Sequence, residues 1–138
     1  MRNETEGAKE ARRVIKLFQQ CLNSPRLVPE QCYRPASHTY MLVNYVNQIT
    51  GLFLSKNYHP IPIFLQRANN ELGRVNPEKV SDPYRQIVLS YLAQMAYFLV
   101  EFDCFDPADE TTITFIPSEL LALGIQSAPD LSFFPGEF

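Results

Sequence analysis

The chain has 138 residues, 46% of them hydrophobic and 20% charged, with 12 basic against 15 acidic side chains and a formal charge of −3. That length and apolar content suit one domain around one core, and they exclude a chain that is disordered throughout. The acidic balance argues against a protein that binds nucleic acid by broad phosphate neutralisation.

Eleven prolines divide the chain into proline-free stretches, and those stretches are the expected elements. From about residue 4 to 22, Ala8, Ala11, Ile15, Phe18 and Leu22 recur at helical spacing, while Lys9, Arg12, Arg13 and Lys16 form a basic face opposite them. Asn23, Ser24 and Pro25 end this helix, and the proline-containing connection that follows is expected to lie over the core through Leu27, Val28 and Tyr33. A second helix, from about 37 to 55, is capped by Ser37. Its apolar residues cover most of the circumference and leave a polar strip of Asn44, Asn47, Gln48, Gly51 and Ser55.

A third, short helix is expected over about 62–72, with Pro62 near its first position and Gly73 as its C-terminal stop. Ser81, Asp82 and Pro83 form a strong start signal for a fourth, over about 82–105. Its polar stripe is Gln86, Ser90, Gln94 and Tyr97. Beyond Pro107 the character changes. Residues 111–116 are β-branched and read as extended, Ser118 to Leu123 suit a helical turn ending at Gly124, and the remainder is irregular. The expected fold is therefore all-α: four main helices in an antiparallel bundle over 1–106, with 107–138 as an extended C-terminal segment packed on the bundle or on a partner.

The chemistry-bearing residues are sparse. Cys21, Cys32 and Cys104 form neither a disulfide framework nor a CxxC motif, and His38 and His59 stand at no ligand spacing from them. The acids from Glu101 to Glu110 do not match a calcium loop, because Phe105 and Pro107 occupy ligand positions. The glycines are too scattered to cradle a phosphate. No metal and no cofactor is expected, and no catalytic residue stands out. The longest apolar run, Met95 to Val100, falls far short of the roughly 18–20 residues a spanning helix needs. With acidic residues in the first six positions and no signal-type run after them, the expected location is cytoplasmic, or nuclear in a eukaryote.

The most informative feature is where charge is missing. Between Pro35 and Gln66 the only charged residue is Lys56, and from Gln86 to Val100 there is none. Solvent faces of soluble helices are usually charged, so both helices call for cover, and uncharged amide and hydroxyl strips desolvate at lower cost than Lys or Glu. Asn47, Gln48, Gly51, Ser90, Gln94 and Tyr97 are therefore the expected partner-binding residues. Phe133, Phe134 and Phe138, crowded into six positions, join them because such rings need burial. The function expected is a non-catalytic helical interaction subunit, an adaptor, assembly factor or regulatory component, with a protein partner or a second copy of itself.

Two alternatives stand beside it. One is a small enzyme or ligand-binding bundle with a pocket between helices two and four, lined by Tyr40, Tyr45, Asn47, Gln48, Tyr91, Gln94 and Tyr97. The other is nucleic-acid regulation through the basic face of helix one, which the net charge disfavours.

Overall fold

The computed structural model describes residues 6–23, 38–74, 82–102, 104 and 115–127. Within them it is all-helical, with no strand: α1 (Glu6–Leu22), α2 (His38–Leu54), α3 (Ile61–Arg74), α4 (Asp82–Glu101) and α5 (Ser118–Ser127). The expected connection over 23–35 and the aromatic residues Phe133, Phe134 and Phe138 lie outside the described residues beyond Asn23.

On α1, Ala11, Val14, Ile15, Phe18, Cys21 and Leu22 turn inward, at the 3.6-residue period of an amphipathic helix. Helix α4 is the hub. It packs against α1, α3 and α5, while α2 pairs with α3 and touches α1. The core runs between them and includes Leu42, Val46, Ile49, Leu65, Val88, Leu92, Met95 and Leu99, all buried. At its centre stands Tyr91. Its ring meets Phe18 edge-on at 5.9 Å, and its hydroxyl, 2.7 Å from Thr50 Oγ1, donates to the Val46 carbonyl at 3.2 Å. This ties α4 to α2 at a point where neither helix has a charge to offer.

Helix α2 ends in a Schellman closure: Asn57 N–H donates to Leu52 O at 2.9 Å and Lys56 N–H to Phe53 O at 3.2 Å. Lys56 takes the left-handed conformation that glycine usually supplies there, at φ 64°. Helix α4 stops at Glu101, earlier than the expected 105, with Cys104 N–H reaching back to Leu99 O. Its last turn holds no basic residue and ends on an acid, which opposes the helix dipole and favours an early end.

The C-terminal part corrects the sequence reading. An extended segment was expected over 107–138, with a turn ending at Gly124, but Ser118–Ser127 is a ten-residue helix that continues through Gly124 and lies on α4. Gly124 is there for proximity. A methyl group on it would overlap the Ala93 carbonyl oxygen and lie 2.9 Å from Tyr97 Cβ, so only glycine lets the two backbones come this close. Asn69 on α3 donates to Glu119 Oε1 at 3.0 Å and fixes the start of α5. Of the expected extended stretch 111–116, residues 111–114 lie outside the described residues, and Phe115 and Ile116 form a turn and a bend. Gly73 is likewise no stop, since α3 continues to Arg74.

Candidate functional site

The two uncharged strips have different fates. On α4, Ser90 is 5% exposed and Gln94 1%, enclosed by the chain's own helices. They are not available to a partner, which corrects the expectation that both strips need outside cover. Gln94 Oε1 is buried without a hydrogen-bond partner. Tyr97 is half-buried, its ring 5.9 Å from that of Phe98.

On α2 the strip stays at the surface. Gln48, Gly51 and Ser55 are exposed and, with Asn47, Leu52 and Phe64, line an open groove of about 430 Å³ where α2 meets α3. Asn47 is already engaged: its Oδ1 accepts from Asn23 Nδ2 at 2.9 Å and from Gln19 Nε2 at 3.3 Å, an amide network that pins the end of α1 to α2. The Ser55 hydroxyl donates to Leu52 O at 3.1 Å. Around Gly51 nothing lies within 4 Å of where a side chain would begin. The groove floor is apolar, from Leu52 and Phe64, with the Tyr45 ring tilted against Phe64 at 6.2 Å.

Among the described residues, those expected to line a pocket between α2 and α4 do not converge. Asn47 and Gln48 face the α2–α3 groove, Tyr97 lines a separate hollow between α1 and α4, and Tyr91 and Gln94 are interior. Between α2 and α4 the Tyr91 hydroxyl reaches Thr50 Oγ1 and the Val46 carbonyl. The side chain of Tyr40 lies outside the described residues.

The basic face also changes meaning. Lys9, Arg12, Arg13 and Lys16 line a hollow beside Leu54, yet most of that charge is engaged within the chain. Arg12 is half-buried and donates to Phe53 O at 3.2 Å, to Leu54 O at 3.3 Å and to the Tyr58 hydroxyl at 3.2 Å, with its guanidinium over the Phe53 ring. A cation on the last carbonyls of α2 adds a charged donor at the negative end of the helix dipole. Arg13 pairs with Glu10, whose carboxyl this hydrogen bond holds below the usual range, and Lys9 lies 3.6 Å from Glu6. Sequence reasoning saw Arg12 as a surface cation. Its spacing from Phe18 and Ile15 gave no sign of the partner helix end.

Burial pushes the Cys21 thiol up to about 11 and raises the Tyr91 hydroxyl, so both stay protonated at neutral pH. No group of three His, Cys, Asp or Glu residues gathers to hold a metal, and no helix is long and apolar enough to cross a membrane, among the described residues. No protein-family model matches the chain, and comparisons with curated proteins and with solved structures find no match.

Proposed function

We propose that the protein is a non-catalytic helical interaction subunit, an adaptor, assembly factor or regulatory component, that presents the outward face of α2 to a protein partner or a second copy. One observation carries this reading: Gln48, Gly51 and Ser55 stand exposed beside an apolar floor of Leu52 and Phe64, without a charge among them. A face of this composition loses little on desolvation and accommodates close approach at Gly51, as interface cores do. The frame of the reading is an antiparallel bundle of four main helices, and the aromatic residues of the tail form its second element.

A photo-crosslinking side chain at Gln48, compared with one at the exposed Gln126 of α5, tests it in the native host. The expected result is a discrete adduct from position 48 that disappears with Gly51→Glu, and none from position 126. Equal adducts from both positions, or adducts from position 48 that survive Gly51→Glu, would overturn the reading.

A further inference from the structure

Three hollows on this surface differ in what lines them. The α2–α3 groove is walled by amides and the hollow beside Leu54 by cations, while the third, between α1 and α4, combines aromatic rings with carboxylates. Its α4 wall is Tyr97, Phe98 and Phe102, a run in which each ring centroid lies 5.9 Å from the next. Its α1 wall includes Gly7 and Ala11, which carry almost no side chain and leave those rings open to a groove of about 260 Å³. That is below the roughly 300–1,000 Å³ of small-molecule sites, and it suits a single side chain. Glu10 and Glu101 complete the lining, and no cation stands among the described residues that form it.

We infer that this groove receives an arginine side chain of a protein partner. The chain itself makes the same contact twice: the Arg12 guanidinium lies 5.5 Å from the centre of the Phe53 ring, and that of Arg67 lies 5.9 Å from the centre of the Phe64 ring. At the end of α2, ring and helix terminus are thus served by an internal cation. At the end of α4 there are more rings and an acid beside them, and the last turn holds no basic residue.

Charge selects the occupant. The start of α1 and the end of α4 meet here with dipoles of opposite sign, which offset, so the field at the rim is that of the two carboxylates. Glu10 shares its charge with Arg13 in an exposed pair, and Glu101, also exposed, has no ion pair among the described residues. An acidic side chain is repelled, and an apolar one covers the rings while stripping water from carboxylates it cannot pair. A lysine ammonium is a strongly hydrated point charge. A guanidinium sheds water more readily, lies flat on a ring and sends two parallel N–H donors to one carboxylate, so it uses the rings and the acid together.

The test is aromatic-ring NMR of the full-length protein, titrated with the blocked peptide acetyl-Gly-Gly-Arg-Gly-Gly-amide. Saturable shifts of the Tyr97 and Phe102 ring resonances are expected. Citrulline in place of the arginine keeps the shape and loses the charge, and it should weaken binding about tenfold. Glu101→Gln should weaken it roughly two- to fivefold. Should far-UV helicity fall in that variant, Phe102→Leu, read on the Tyr97 ring, carries the same test by removing part of the cation's aromatic surface. Unmoved rings, equal binding of the citrulline peptide, or a well-folded Glu101→Gln chain that binds as the parent does would overturn the assignment. So would tetramethylammonium binding more tightly than the peptide, which makes this a site for a small cation. Peptide binding that appears only after Arg2→Gln places the chain's own residue 2 in the groove and overturns it as well. Each of these outcomes leaves the reading of α2 untouched, because that reading rests on crosslinks from Gln48.

Discussion

Helices α2 and α4 are equally poor in charge along their middles, and they end in opposite surroundings. The strip of α4 is inside, with Ser90 and Gln94 buried, while Gln48, Gly51 and Ser55 of α2 face out. What separates them is whether the chain carries a further element able to come close. For α4 that element is α5, whose Gly124 sits directly on the Ala93 backbone. For α2 the described chain supplies α3 along one side and the end of α1 at Asn47, and the strip beyond Phe64 stays open. An uncharged helical strip therefore says that cover is wanted, not where it comes from.

The comparison breaks most readily at Gly124. Gly124→Val forces α5 away from α4 and should cost about 3 kcal/mol in urea unfolding, with new binding of an apolar dye. A variant as stable as the parent would mean that α5 does not close the strip. Next in size is Arg12→Ala, which strips the end of α2 of a charged cap and of a ring contact, a loss of about 1.5–3 kcal/mol. Arg13→Ala should stay within about 0.5 kcal/mol, because its pair with Glu10 is exposed. Equal losses in the two variants would return Arg12 to the surface.

Tyr91→Phe removes the hydroxyl that joins the two helices through Thr50 and Val46, and thermal unfolding should register a loss of about 1 kcal/mol. Smallest, and opposite in sign, is Gly51→Ala. With open space around it and no positive φ to preserve, alanine should stabilise the helix by about 0.5–1 kcal/mol. A destabilised Gly51→Ala chain would show that α2 is covered after all.

Much of this architecture was legible because proline positions and helical periodicity report local preferences directly. The limits of α1, α2 and the start of α4 fall within two residues of those expected from Ala11, Ile15 and Phe18, from Ser37, and from Ser81 to Pro83. What was not legible involves long-range pairing. Gly124 reads as a stop in one dimension, and only the approach of α4 shows that it is a contact. Arg12 reads as a surface cation until the end of α2, more than forty residues away, comes beside it. Of the expected site, Gln48 and Gly51 are exposed, Asn47 is engaged by α1, and Ser90 and Gln94 are interior, a division that no property of the two strips taken separately distinguishes.

The most direct test is to place the same charge on each strip and measure urea unfolding of Gln48→Glu and Gln94→Glu side by side. At Gln48 the carboxylate stays in water and the midpoint should move by no more than about 0.5 kcal/mol in stability. At Gln94 an unpaired charge must be buried, and the loss should reach about 3 kcal/mol or more. Equal effects at the two positions would contradict the account.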